Sequence, residues 1–247
     1  MSDLLAIIGG TGLTSLDTLT LTRREMVSTP YGVPSGPVIH GELAGHPVIF
    51  LPRHGHRHTI PPHKVNYRAN IWALKQLGVG RVIAVAAVGG ITPAMTPERL
   101  VFPDQIIDYT YSRKHTFFED DLSEVVHVDF SYPYADSIRQ VLIQEARGLQ
   151  LEAVEQGAYG ATQGPRLETA AEIARMERDG CDLVGMTGMP ETVLARELAI
   201  DYATCAVVVN WAAGKTEGLI TMDEIRQHLG VGMDRVKRLL GAVIPVL

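Results

Sequence analysis

The chain has 247 residues and a formal net charge of −6 at pH 7. That length supports one large α/β domain whose core needs no staples. The acidic balance, with no polybasic run, argues against nucleic acid or an anionic membrane as partner.

No segment reaches the ~20 apolar residues of a membrane span, and the start MSDLLAIIGG has neither the basic region nor the apolar stretch of a signal peptide. Cys181 and Cys205 sit in apolar segments outside any CxxC, as reduced, buried thiols do in the cytoplasm.

Leu4 to Ile8 is a short apolar run that stops at Gly9-Gly10-Thr11-Gly12, a buried strand entering a glycine turn. Pro47 to Pro52 is a second buried strand. Asn66 to Leu77 has helical spacing, with Ile71, Leu74 and Leu77 on one face and Gly78 as the stop. Arg81 to Val88 is a third strand before Gly89-Gly90, and Leu100 to Ile107 contains another. Pro133 to Leu149 is a helix, Gly157 to Thr162 strand-like, and Thr169 to Arg178 a helix that stops at Gly180. Asp182 to Met186 is a strand, Pro190 to Ala199 a helix and Tyr202 to Asn210 an apolar strand. Thr221 caps a C-terminal helix that Gly230 is expected to interrupt. Strands alternating with helices predict a single domain, 1–247, with a mixed central β-sheet covered by helices on both faces.

Ligands of open α/β sheets sit at the carboxyl ends of strands, and the unusual residues fall there. Gly9–Gly12 is either a tight turn or an anion loop whose N–H groups and Thr11 hydroxyl face a ligand. It lacks the third glycine of GxGxxG and the lysine of GxxxxGK[ST], which disfavours a dinucleotide. Arg53 ends the second strand, where a guanidinium can grip an oxyanion in bidentate fashion. His54, His56 and His58 alternate as ligands of a metal-dependent hydrolase would, yet no carboxylate follows at ligand spacing. Glu168 is either an acid at a helix start or a site carboxylate. Thr187 offers a hydroxyl, Pro190-Glu191 opens a helix, and Asn210 is either a strand cap or an amide aimed at a ligand.

Taken in order, these segments resemble a known family. Gly9-Gly10-Thr11-Gly12-Leu13, Thr29-Pro30-Tyr31-Gly32, Leu51-Pro52-Arg53-His54-Gly55, Ile60 through Asn70 (IPPHKVNYRAN), Pro103-Asp104-Gln105, Gly164-Pro165-Arg166, and Gly185-Met186-Thr187 with Pro190-Glu191 are similar to methylthioadenosine phosphorylase. That enzyme belongs to the trimeric branch of the purine nucleoside phosphorylases. The resemblance runs from about Ile7 to the C-terminus. It implies a homotrimer with sites near subunit interfaces, no metal or organic cofactor, and inorganic phosphate as co-substrate. It implies that Thr11, Arg53, His54 and Thr187 hold phosphate, with Ala86 and Ala87 lining the phosphate and sugar site. Family members often carry threonine where Ala86 stands, which removes one hydroxyl contact. By the same resemblance Met186 packs under the ribose, His127 reaches the 5′-substituent pocket of a neighbouring subunit, and Met222 lines that pocket.

Two departures bear on the base. Adenine-specific members end the last strand with Asp-x-Asp, and here the site reads Asn210-Trp211-Ala212. Their GPRF-Ser pattern reads Gly164-Pro165-Arg166-Leu167-Glu168. Glutamate with asparagine is similar to the 6-oxopurine nucleoside phosphorylases. A carboxylate only accepts, which suits N1–H; an amide can donate to O6 and accept from protonated N7. Leu167 replaces the stacking phenylalanine, and Trp211 is the expected substitute. The expected catalytic set is Asn210, Glu168 and His54. The expected reaction is phosphorolysis of S-methyl-5′-thioinosine to hypoxanthine and 5-methylthioribose 1-phosphate. A general 6-oxopurine nucleoside phosphorylase acting on inosine and guanosine, a methylthioadenosine phosphorylase, and the histidine-cluster hydrolase are the alternatives.

Overall fold

A computed structural model of the protein describes residues 4–13, 19–120 and 122–247. Residues 1–3, which carry part of the signal-peptide reading, lie outside the described residues.

Four long strands form the centre. They are β1 (Leu4–Gly9), β4 (His46–Pro52), β5 (Val79–Gly90) and β11 (Asp201–Trp211). All run parallel: β1 pairs with β4 and β5, and β5 pairs with β11. Their sequences are nearly continuous apolar runs because both faces are covered. The period of two then sorts side chains between two cores. Leu5, Ile7, Ile83, Val85, Cys205 and Val207 face α2 (Asp136–Gly148) and α5 (Met222–Val243), meeting Ile138, Leu142, Val236 and Leu239. Ala6, Ile8, Val82, Ala84 and Tyr202 face α1 (Tyr67–Gln76) and α4 (Gly188–Glu197), meeting Ile71, Leu74 and Leu194.

The sheet is mixed, as the sequence predicts. β2 (Thr20–Glu25) and β3 (Val38–Leu43) add an antiparallel ribbon to β4 at one edge. At the other edge β10 (Leu183–Gly185) meets β5 antiparallel at Gly89 and Gly90, then pairs in parallel with β9 (Ala158–Ala161), which pairs with β7 (Gln105–Asp108). β6 (Leu100–Val101) joins β11 to β8 (Ala153–Val154). α3 (Ala170–Arg178) lies between β9 and β10 in the chain. Among the described residues no helix is long and apolar enough to cross a membrane.

Three elements differ from the sequence reading. The β2–β3 ribbon has no predicted counterpart; β2 is a polar strand (TLTRRE) exposed along most of its length, so no apolar alternation marks it. The strand expected within 100–107 is two strands, β6 and β7, separated around Pro103, which cannot donate to a ladder. Gly230 does not interrupt the last helix. α5 runs unbroken from its Thr221–Glu224 capping box to Val243.

The glycines of α5 provide a test of packing against propensity. A Cβ at Gly230 meets nothing within 4 Å, whereas one at Gly232 would stand 2.2 Å from Val207 Cγ1. Gly230→Ala should stabilise the protein by up to about 1 kcal/mol. Gly232→Ala should destabilise it by about 1–3 kcal/mol despite the same gain in propensity. Urea denaturation of the two variants checks the opposite signs.

Candidate active site

The carboxyl ends of β1, β4, β10 and β11 and the carboxyl-terminal part of β5 surround a cavity of about 350 Å³. Eleven of the residues expected from sequence line it: Thr11, Arg53, His54, Ala86, Ala87, Leu167, Glu168, Met186, Thr187, Asn210 and Ala212. Three do not. Trp211 follows Asn210 on the strand but stays outside the cavity, so the expected stacking role has no geometric basis here. Met222 is 58% exposed at the start of α5, and Ile220 and Ile225 line the cavity in its place. His127 is exposed on the irregular stretch after β7, away from this chain's own cavity.

Arg53 anchors the oxyanion end, but not as a free clamp. Its Nε donates to Glu191 Oε2 at 2.6 Å and its Nη2 to Glu191 Oε1 at 2.7 Å. Nη1 donates to the Val85 carbonyl at 2.9 Å. Tyr202 donates its phenol proton to Glu191 Oε1 at 2.8 Å. The arginine is 1% exposed and the glutamate 0%. Burial by itself disfavours the arginine's charge; the adjacent carboxylate more than reverses this and raises its pKa. Three of the five guanidinium N–H groups are thus committed, leaving one on each terminal nitrogen for a ligand. The backbone closes tightly over the group. A Cβ at Gly10 would lie 2.5 Å from the Val85 oxygen and 2.9 Å from Arg53 Nη1, so the residue that follows β1 must be glycine.

His54 is not cationic near neutral pH. Burial, then the charge of Arg53, pushes the His54 pKa down to about 4. Its Nδ1 lies 2.8 Å from the Ile60 carbonyl, which only accepts, so Nδ1 carries the proton and Nε2 keeps a lone pair. His54 therefore offers an acceptor near neutral pH, to a P–OH or a sugar hydroxyl, rather than a charged donor. His58 is lowered by the same two causes, burial first, and its Nε2 lies 3.5 Å from Thr11 Oγ1. Among the described residues no three His, Cys, Asp or Glu side chains form a metal-ligating group, so the His54, His56 and His58 alternation does not assemble a ligand set. Thr187 lines the cavity just before α4, makes no capping hydrogen bond, and is separated from the continuous part of the helix by the non-helical Met189; its hydroxyl lies beside the Tyr159 phenol.

Glu168 and Asn210 stand at the other end. Glu168 does no capping. Thr169 and Glu172 form the complete capping box of α3 one residue further on. Instead Glu168 Oε1 accepts from Thr162 Oγ1 at 2.6 Å, which fixes the carboxylate at the rim of the cavity. Asn210 owes its placement to a bulge. The β11 register against β5 shifts between Val208 and Asn210, so Val209 is the extra residue and both Val209 and Asn210 reach the cavity. One amide N–H of Asn210 donates to the Trp211 carbonyl at 2.7 Å, which leaves a second N–H and the amide oxygen.

Glu191, Tyr202, Thr162, Ile220 and Ile225 are site residues that the sequence reading missed. Glu191 reads as an ordinary acid opening a helix after Pro190, and its partner lies 138 positions away.

Fold and cavity together fit an α/β enzyme whose ligands enter at the carboxyl ends of its strands. The chain belongs to the phosphorylase superfamily, whose family model it matches over residues 4–245. It is 56% identical over 239 residues to a probable S-methyl-5′-thioinosine phosphorylase of Pseudomonas syringae pv. tomato, covering 97% of both chains. It is 46% identical over 248 residues to the 6-oxopurine nucleoside phosphorylase of Pyrococcus furiosus, covering 98% of this chain and 92% of that one. Its structure is similar to that of methylthioadenosine phosphorylase from Schistosoma mansoni in complex with adenine, with a TM-score of 0.94 at 31% identity, over 98% of this chain and 91% of that one.

Two measurements test the oxyanion end. Glu191→Gln should cost about 3–5 kcal/mol because it strands a buried guanidinium, and adding Arg53→Met should recover part of the loss. Simple additivity of the two changes in thermal unfolding would contradict the pairing. For His54 the folded pKa lies below the ordinary 6.5, so its contribution to stability is full above pH 6.5 and is lost as pH falls through 4. The wild type should thus lose on the order of 3 kcal/mol more than His54→Gln between those values. Equal slopes of unfolding free energy against pH would contradict the neutral, desolvated imidazole.

Proposed function

We propose that the protein cleaves S-methyl-5′-thioinosine with inorganic phosphate, giving hypoxanthine and 5-methylthioribose 1-phosphate. The observation that carries this reading is the pair of groups at the base end. Glu168 is a carboxylate and can only accept, which suits the N1–H of a 6-oxopurine and opposes the N1 lone pair of adenine. Asn210 supplies both a donor for O6 and an acceptor for N7–H. Ala212, where adenine-specific relatives carry a second carboxylate, removes one acceptor that a 6-amino group would use.

The sugar reading rests on the other wall. The stretch entering α5 contributes Ile220 and Ile225 to the cavity, two aliphatic side chains that suit a methylthio group and give a 5′-hydroxyl no partner. The likeness to the Pseudomonas syringae relative, by the name that protein carries, points the same way.

In this mechanism Thr11, Thr187 and the two uncommitted N–H groups of Arg53 hold phosphate below the sugar, with Ala86 and Ala87 giving room for it. His54 Nε2 accepts the remaining phosphate or sugar proton. Met186 lies against the ribose, and Leu167 closes over the base at the cavity mouth. A phosphate oxygen forms its bond to the anomeric carbon as the bond to N9 breaks, and the electron pair leaves with the base. The Asn210 N–H stabilises the negative charge that builds towards O6 of the leaving hypoxanthine, an electrostatic effect that needs no reorganisation during reaction. N7 takes its proton from water, and Glu168 accepts from N1–H to orient the base. Holding phosphate and sugar in line supplies the orientation term. Phosphate is the co-substrate, with no metal or organic cofactor.

We read the active form as a cytoplasmic homotrimer. Val125, Val126 and Tyr132 are exposed on the same irregular stretch as His127, an arrangement that suits a contact with a neighbouring subunit. The two buried, unpaired thiols suit a reducing compartment.

A phosphorolysis panel tests the proposal. kcat/KM for S-methyl-5′-thioinosine should exceed that for inosine by roughly 10-fold or more, the scale of an apolar-group contact, and that for methylthioadenosine by a larger factor. Equal turnover of inosine would make the protein a general 6-oxopurine nucleoside phosphorylase. Preference for methylthioadenosine would overturn the reading of the base.

A further inference from the structure

The irregular stretch after β7 sends several side chains inward, Phe117, Tyr134 and one charged group, Arg113, among them. Arg113 is 9% exposed and lies outside the cavity lining. Its Nε donates to Gln163 Oε1 at 3.0 Å. Nη2 donates to the carbonyls of Thr162 at 3.1 Å and Gln163 at 2.7 Å. Nη1 donates to the carbonyls of Met186 at 2.9 Å and Met189 at 2.6 Å, with the Tyr67 hydroxyl at 3.3 Å beyond them. All five N–H groups have acceptors, so the guanidinium has none left for a ligand.

The acceptors are informative. Thr162 and Gln163 follow β9, whereas Met186 follows β10 and Met189 opens α4. These carbonyls lie where the parallel ladder between the two strands has stopped, and the planar fork of an arginine replaces the missing donors. The same Thr162 donates its hydroxyl to Glu168 at 2.6 Å. The chain of contacts therefore runs from Arg113 to the Thr162 carbonyl, through the Thr162 side chain, to the carboxylate that faces the base. Arg53 and His54 are held separately, by Glu191, the Val85 carbonyl and the Ile60 carbonyl, and none of these bonds involves Arg113.

The geometry points to Arg113 as a positioning residue for base selection: it sets the Glu168 carboxylate against the purine without touching substrate. This rests on the 6-oxopurine reading of the site. It also makes the stretch that carries His127 part of the base-recognition apparatus rather than a peripheral loop.

The test is calorimetric binding of hypoxanthine, adenine and phosphate to the full chain and to two variants, Arg113→Met and Thr162→Val. The wild type should bind hypoxanthine more tightly than adenine. If it does not, the 6-oxopurine reading fails, independently of Arg113. Given that preference, each variant should lower the hypoxanthine-to-adenine affinity ratio by about tenfold, the worth of one buried hydrogen bond, while phosphate affinity changes by less than about threefold. Arg113→Lys should restore part of the ratio. An unchanged ratio in Thr162→Val overturns the inference even if Arg113→Met does not fold. A loss of phosphate affinity equal to the loss for hypoxanthine in Arg113→Met overturns it as well, because that marks a general structural role.

Discussion

The site depends on one buried ion pair. Arg53 and Glu191 leave water together, from the end of β4 and the first turn of α4, and neither charge is tolerable without the other. Their pairing ties the two elements across β1 and β5 at the point where the strands end. It also changes the nature of the oxyanion site. Glu191 cancels the arginine's charge, and the neutral His54 adds none. That end of the cavity is a set of directed hydrogen-bonding groups with little net charge. Such a site holds an anion by geometry, and it avoids the very tight ground-state binding that would slow turnover without lowering the barrier.

The base end is built by the opposite device. No ion pair fixes Glu168; a threonine hydroxyl does, and that threonine is held through its backbone by Arg113. Asn210 is aimed by a bulge in β11 rather than by strand alternation. Both groups are thus fixed by neutral contacts that leave their hydrogen-bonding pattern intact for the ligand. A mismatched base would leave one of them unpaired in a partly dry cavity, which costs more than the matched bond contributes. The two ends meet across Met186 and Thr187, consecutive residues at the end of β10.

Much of this was legible in the sequence. The apolar strands are long, buried on both faces and punctuated by glycine, arginine, threonine or asparagine, so strand ends could be read directly. Most of the eleven lining residues lie in or just after those strands, whereas Leu167 and Glu168 sit in the loop before α3 and were placed by the family resemblance. What could not be read has a common cause. Glu191 is identifiable only through a contact with Arg53 that spans much of the chain, and Tyr202 only through the hydroxyl it donates to Glu191. The charge state of His54 follows from burial and from the direction of one backbone carbonyl. The exclusion of Trp211 and the aim of Asn210 follow from a one-residue register shift, and alternation counted from sequence misplaces every residue beyond it. Met222 was one turn off because α5 begins there, and the faces of a helix are settled by packing rather than by its first residue. Thr162 and Arg113 act through backbone carbonyls, which no residue pattern encodes.

The central claim is that a carboxylate and an amide read a 6-oxopurine. A crystal structure with hypoxanthine and phosphate bound tests it most directly. The base should lie with N1–H on Glu168 and O6 facing the Asn210 amide nitrogen, and phosphate should meet the two free Arg53 N–H groups. A base bound with N1 away from Glu168, or seated without contact to Asn210, would contradict the account.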